Sequence, residues 1–264
     1  MSDMGKILNS HTVQFHRVFP GPIERVFDYL TKPELLATWL MEGSVEPAVG
    51  GRIEYNSGEI PESIDIPQSK ESCCIRGLVK EYEPPLLIAY SWNELNCSMT
   101  SEVRFELEAK GDEVHLILTH SRLTAEMMPG VGAGWHTHLE SMLQIIKGET
   151  PGEFFARFEP RLEYYKAAAI AAGIVIVASA GSASAQGDPA YESIKVARDK
   201  LISKYDQVWK DADNLKYKID QISKAPSADS SRTLSDLDKD LRAAHDELHK
   251  IEFELRDLDM AIRH

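Results

Sequence analysis

The feature that most constrains this chain is a change in the period of its apolar residues near Pro129-Gly130. Before it the period is two. Val103, Phe105 and Leu107 alternate with Glu102, Arg104, Glu106 and Glu108, and Leu86, Ile88, Tyr90 and Trp92 recur in the same way. Val114, Leu116 and Leu118 continue the pattern, and Val13, Phe15 and Phe19 oppose Thr12, Gln14 and His16. Such alternation marks strands buried on one face. The turns between them are short: Pro84-Pro85 closes Ile75 to Tyr82, and Lys110-Gly111-Asp112 reads as a hairpin turn. After Pro129-Gly130, Trp135, His138, Leu139, Met142 and Ile146 share one helical face, and Gly148 stands near its C-cap. A second helical piece runs from about Pro151 to Lys166. Consecutive strands with short connections make an antiparallel sheet, whose apolar face must be covered. The long amphipathic helix at the end of this series is the element able to cover it, which gives an α+β layer architecture.

Two short helices precede the main run of strands. Ile23, Val26, Phe27 and Leu30 follow Pro20-Gly21-Pro22, and Leu35, Leu36, Trp39 and Leu40 follow Pro33. Gly50-Gly51 is a turn before a strand at Arg52–Tyr55, and Asn56–Ser72, rich in Ser, Pro, Glu and Ile, reads as a long surface loop. Residues 1–10, MSDMGKILNS, read as a flexible N-terminus without the apolar core of a secretory signal.

Residues 11–166 resemble the START-like (SRPBCC) superfamily, in particular the branch of activators of the Hsp90 ATPase. The resemblance rests on Val18-Phe19-Pro20-Gly21-Pro22 with Val26-Phe27, on Pro33-Glu34 with Trp39-Leu40, and on Gly50-Gly51-Arg52. It continues through Gly77-Leu78-Val79, Pro84-Pro85, Tyr90-Ser91-Trp92, Thr119-His120 and Gly134-Trp135 with Leu139. It implies a helix-grip fold, a sheet curled around a long helix with an apolar cavity between them. Relatives of this kind include lipid, sterol and polyketide binders, cyclases and chaperone activators, so the fold does not fix the function.

No catalytic grouping stands out. There is no Gly-rich phosphate loop, nucleophile elbow or zinc-protease motif, and neither a cofactor nor a metal is expected. In His136-x-His138 the two side chains diverge by about 200° on a helix and cannot easily share an ion. His245 and His249 have metal-ligand spacing but no evident third ligand. The expected cavity lining is Trp39, Tyr55, Tyr90, Trp92, Phe105, Trp135, His138 and Met142, a set suited to a small lipophilic ligand. His138 is a core-edge histidine, a polar handle for that ligand, or a catalytic base. Expected functions are a non-enzymatic ligand binder, a co-chaperone-like interaction module, or a cavity enzyme of cyclase or hydrolase type. Cys73, Cys74 and Cys97 include no C-x-x-C pair and read as reduced thiols of a cytosolic domain.

The charge divides the chain. Residues 1–166 carry 15 Lys/Arg and 25 Asp/Glu, residues 187–264 carry 14 and 17, and residues 167–186 carry none. The overall net charge of −13 argues against a nucleic-acid partner. Ala167–Ala185, AAAIAAGIVIVASAGSASA, is 19 residues long, enough for a helix to cross a bilayer core of about 30 Å. Arg161 and Lys166 on one side and Asp188 and Glu192 on the other would keep residues 1–166 cytoplasmic. The same stretch resembles an export signal with an Ala183-Ser184-Ala185 cleavage site, as if two reading frames had been fused. A membrane anchor that places 187–264 in the periplasm or outside, a cleaved or vestigial signal, and a soluble helix are the three readings.

Beyond it, Ile194, Leu201, Val208, Leu215 and Ile222 recur every seven residues, with Tyr205, Trp209 and Ile219 broadening the stripe. After the turn Ser223–Arg232, Leu234, Leu237, Leu241, Ala244, Leu248, Ile251, Leu255, Leu258 and Ile262 keep three-four spacing. The expectation for 187–264 is an antiparallel coiled-coil hairpin that associates with itself or with a partner protein.

Overall fold

The computed structural model describes residues 4–56, 58, 61, 63–64, 74–94, 99–174, 189–224 and 230–262. The chain divides into two compact units, Met1–Gly181 and Ser182–His264.

The first unit is α+β. Eight strands form one antiparallel sheet: β1 (Lys6–Asn9), β2 (Thr12–Pro20), β3 (Glu42–Val45), β4 (Arg52–Asn56), β5 (Cys74–Glu83), β6 (Leu87–Glu94), β7 (Met99–Lys110) and β8 (Glu113–Ser121). Their order across the sheet is β1-β2-β8-β7-β6-β5-β4-β3. The helices α1 (Ile23–Thr31) and α2 (Pro33–Trp39) fall between β2 and β3, and α3 (Met128–Ile146) and α4 (Phe154–Ala171) follow the last strand. This is the α+β layering that the change of period predicts and the helix-grip arrangement that the resemblance implies. The alternating residues set the inner face: Val13, Phe15, Tyr55, Tyr90, Trp92, Val103, Phe105, Leu116 and Leu118 are buried in one core with Trp135, Leu139 and Met142 of α3. The start of α4 and the end of α3 are capped. Glu153 caps α4 by accepting hydrogen bonds from the Phe155 and Ala156 amides at 3.2 and 2.7 Å. Gly148, with φ +80°, ends α3 while the Glu149 amide reaches back to the Gln144 carbonyl at 2.8 Å.

Several expectations need correction. Residues Lys6–Asn9, expected in a flexible N-terminus, form the edge strand β1, which pairs with β2 through Lys6↔Gln14 and Ile7↔Val13. Leu86 is exposed and not on the inner face, because it closes the Glu83–Leu86 turn and the strand starts one residue later. The loop after β4 is not wholly superficial: Ile64 is buried within the core. Residues 65–73 of that loop, with Cys73 and Cys97, lie outside the described residues.

The helix that grips the sheet is α3, and α4 packs on α3 as a further layer. Gly132 makes this close approach possible, since a Cβ there would stand 2.8 Å from the Tyr165 ring. Beside it, Glu140 of α3 receives Arg157 at 2.9 Å and Arg161 at 2.7 Å. Burial alone would raise the pKa of the Glu140 carboxyl, but these two guanidiniums hold it below its usual value.

The apolar stretch expected to run as one helix over 167–185 does not do so. Its first residues are the last turn of α4, where Ala169 is buried in the first unit. At Gly173, φ +73°, the helix stops: the Ile174 amide bonds the Ala169 carbonyl and the Gly173 amide bonds that of Ile170, both at 3.0 Å. This is a Schellman ending, with Ile174 folded back and buried. No helix among the described residues is long and apolar enough to cross a membrane. The expectations for residues 175–188, the export-signal cleavage site among them, lie outside the described residues.

The second unit contains α5 (Pro189–Lys224) and α6 (Ser230–Ile262), which pack together, with Lys204 paired to Glu247 and the Tyr205 hydroxyl donating to Glu252 at 3.3 Å. On α5 the buried stripe is Tyr205, Trp209 and Ala212, while Leu201, Val208 and Leu215 are only partly buried. On α6 the buried residues include Leu248, Ile251 and Leu255.

The two glycines of α3 provide a test of this packing. Gly132→Ala is expected to lower stability by about 1–3 kcal/mol through the Tyr165 overlap. Gly134→Ala, where an added Cβ meets nothing within 4 Å, should raise it by about 0.5–1 kcal/mol through lost glycine entropy. Urea unfolding of the two variants measures the contrast.

Candidate ligand site

The inner face of the sheet, α2 and α3 bring the eight residues expected as cavity lining into one aromatic cluster, in which His138 is only partly buried. Tyr90 stacks on Trp92 with centroids 6.4 Å apart, Tyr55 tilts against both, and Trp92 meets Trp135 at 5.4 Å. Phe105 stands edge-on to Trp135 at 5.8 Å. His138 joins on the far side, 6.4 Å from Trp135 and 6.5 Å from Trp39. Met142 lies one turn further along α3 in the same core. Tyr55, Tyr90, Phe105 and Met142 are almost completely buried, and the three tryptophans nearly so.

Hydrogen-bond logic fixes the polar groups within this aromatic shell. The indole N–H of Trp135 can only donate, so His120 Nδ1, 2.8 Å away, accepts. His120 Nε2–H then donates to Ser101 Oγ at 2.8 Å, and Ser101 donates to the Trp92 carbonyl at 3.0 Å. Every proton in this relay has an acceptor. His138 is different. A carbonyl can only accept, so His138 Nδ1–H donates to the Trp39 carbonyl at 2.8 Å, and Nε2 carries the lone pair. The Trp39 indole in turn donates to the Tyr29 carbonyl at 2.9 Å, which ties α2 down behind the histidine. The Phe154 ring of α4 packs against His138 with centroids 4.6 Å apart.

The two histidines of His136-x-His138 do diverge. His138 engages α2, whereas His136 Nδ1 lies 3.3 Å from the Tyr165 hydroxyl of α4. Among the described residues no three metal-ligating side chains converge.

Sequence reasoning missed His120, Ser101 and Phe154 as parts of this site. The signal for the first was present: His120 continues the buried phase Val114, Leu116, Leu118, and a polar residue on a buried phase must be given a partner. Arg17 likewise sits on the buried phase of β2, stacked 5.5 Å over the Phe15 ring. Phe154 had no such signal, because its place beside His138 depends on the angle at which α4 returns.

Burial pushes the His120 imidazole down to about 3. His138 falls to about 4, chiefly by burial and further by the Arg157 charge, against the opposing hydrogen bond to Trp39. Both are therefore neutral near pH 7. Because their folded pKa values lie below the unfolded value near 6.5, the unfolded chain binds more protons between about pH 6.5 and 4. Stability should fall as pH drops through that window, with these two groups contributing a slope of up to ~2.7 kcal/mol per pH unit. Urea unfolding between pH 7 and 4 measures the slope, and His138→Phe should remove about half of that contribution.

Comparison with known proteins agrees with this architecture. Residues 20–147, from the end of β2 to the end of α3, match the family model for activator of Hsp90 ATPase homolog 1-like proteins. The solution structure of a protein from Bordetella parapertussis is 29% identical, with 62% of this chain and 90% of that one covered and a TM-score of 0.51. The crystal structure of CalU16 from Micromonospora echinospora is 23% identical, with 60% and 88% covered and a TM-score of 0.48. No curated protein matches the chain. The layers and strand order of the first unit are those of a helix-grip fold, and residues 20–147 within it match the model of the activator of Hsp90 ATPase homolog 1-like family.

Proposed function

We propose that the first unit binds a small, largely apolar molecule between the inner sheet face and α3, and does so without catalysing its conversion. The observation that carries this reading is the surrounding of His138. Its Nδ1 is held by the Trp39 carbonyl, while its Nε2 has no partner among the described residues. One helical turn before it, on the same stripe of α3, Gly134 leaves open space where a side chain would stand. An oriented, neutral, half-buried imidazole beside the open space at Gly134 suits recognition of a ligand. A general base would need a substrate proton within reach and is usually oriented by a carboxylate. His138 has a carbonyl in that place, and Glu140, the acidic residue nearest in sequence, is engaged by two arginines.

N-phenyl-1-naphthylamine, an uncharged fluorescent aromatic, is expected to bind saturably at one site per chain. Gly134→Phe should weaken it by about tenfold or more while leaving the melting temperature unchanged or higher. Absence of saturable binding, or binding indifferent to Gly134→Phe in a folded variant, would overturn the reading. The family description supports a chaperone-regulating role as the second reading. A change in Hsp90 ATPase rate on adding the full chain would favour it over the first.

The second unit we assign to association, on the strength of the heptad spacing of Ile194 to Ile222 and Leu234 to Ile262. Sedimentation equilibrium of the full chain should give a dimer or larger species at micromolar concentration, and a strict monomer would count against self-association.

A further inference from the structure

The outer, solvent-facing side of the sheet brings together two histidines that take no part in the core. His16 of β2 and His115 of β8 fall on the outer phase of their strands, between the buried Phe15 and Arg17 and the buried Val114 and Leu116. The β2–β8 register pairs Val18 with His115 and His16 with Ile117, so the two imidazoles are diagonal neighbours on one face. His115 Nδ1 lies 3.3 Å from His16 Nε2, with the ring centroids 5.3 Å apart. His16 is exposed and the His115 side chain is 20% exposed, so solutes reach the pair directly from water.

As a hydrogen bond this contact is long, just beyond the usual range of about 2.7–3.2 Å. As a chelate it has the right span: two nitrogens each 2.0–2.1 Å from a zinc ion, at the tetrahedral angle, lie about 3.3–3.4 Å apart. Glu113, on the same face of β8, brings Oε2 to 4.0 Å from His115 Nε2. A carboxylate on that side favours the proton on Nε2 and leaves the Nδ1 lone pair turned toward His16. Lys110, Arg17 and Lys6 place positive charge around His16 and oppose a cation. The Lys110 charge is offset by Glu108, which it meets at 2.9 Å and which stands across from His115 in the β7–β8 register. These surroundings suit a micromolar, exchangeable site and not a permanent structural one.

We propose that His115 Nδ1 and His16 Nε2 together bind a zinc ion on the outer face of the sheet, with water completing the coordination. In the free pair one ring donates a proton to the other. Zinc takes the place of that proton, which moves to the outward nitrogen of the same ring, so no net proton is released. Imidazole donors select zinc and its neighbours in the transition series, whereas magnesium takes oxygen ligands. The bound ion staples β2 to β8, so it stabilises the folded chain by mass action. The site lies on the opposite side of the sheet from the apolar core, and the proposal is independent of the ligand-binding function.

The test is isothermal titration of the full chain with zinc chloride at pH 7.5, with magnesium chloride as the control that should not bind. The chain has nine histidines, so variants identify the site. His16→Gln and His115→Gln should each weaken one zinc site by about tenfold or more. The double variant should lose little beyond either single one, because both imidazoles hold the same ion. His245→Gln/His249→Gln should leave this site intact. Zinc should raise the melting temperature of the wild type and raise it less in both single variants. Zinc binding unchanged in both, or lost in only one, overturns the proposal; the second result means an adventitious ion on a single imidazole. Long-range 1H–15N spectra of the wild-type imidazoles need no variant. His115 Nδ1 and His16 Nε2 should shift together as zinc is added, and a shift at neither or at only one overturns the proposal even if a variant fails to fold.

Discussion

The indole of Trp135 is the contact on which the first unit depends. It stands at the point where α3 crosses the sheet, against Trp92 and Phe105 of the inner face, and its N–H closes on His120 of β8. Aromatic surface of this size dominates core energetics. The hydrogen bond adds direction, because only one rotation of α3 brings the indole N–H to His120 Nδ1. That rotation sets the rest of the helix. His138, three residues on, turns toward α2 and the Trp39 carbonyl, and His136 and Glu140 turn toward α4. Leu139 and Met142 fill the core. The helix is thus buried on two sides, with its polar residues sorted by partner.

This two-sided burial explains what was legible in the sequence and what was not. The sheet could be read because its inner positions alternate strictly, and the register puts Tyr90, Val103 and His120 in one row across β6, β7 and β8. The position of α3 followed from the change of period. The role of α4 did not follow, because its match to α3 uses a glycine, Gly132, against an aromatic ring, and a glycine gives no periodic signal. Strand β1 was missed for a related reason: Lys6–Asn9 is a mostly exposed edge, with too few buried positions to alternate. The apolar stretch after Lys166 could not be placed from composition. Alanine-rich sequence is as compatible with the last turn of a packed helix as with a membrane span. The deciding residue was Gly173, whose left-handed φ ends the helix after Ala172.

The candidate lining residues were named from aromatic content, and they meet in the core between the sheet, α2 and α3. Aromatic content alone says nothing of polarity within that wall. The relay Trp135–His120–Ser101–Trp92 is complete, so it contributes rigidity and a fixed tautomer, not an open valence. Among the described residues, the second hydroxyl proton of the buried Tyr55–Tyr90 pair and Nε2 of the partly buried His138 find no protein partner. A sequence cannot distinguish a satisfied buried histidine from an unsatisfied one, because the difference lies in which backbone carbonyl the fold delivers to the ring. Here α2 delivers that of Trp39 to one nitrogen of His138 and leaves the other open.

One physical cause governs the pH behaviour of this wall and would govern its selectivity toward a ligand. Removing water from His120 and His138 disfavours their charged forms, and the same low-dielectric surroundings disfavour any charge a ligand would bring. A protonated His138 would attract a carboxylate, but protonation is what burial suppresses down to about pH 4. The depressed histidines and any preference for neutral ligands would therefore share one cause. A substitution that lets water reach His138, for example one that loosens the Phe154 contact, should raise its pKa toward 6.5 and relax the rejection of anions in the same step.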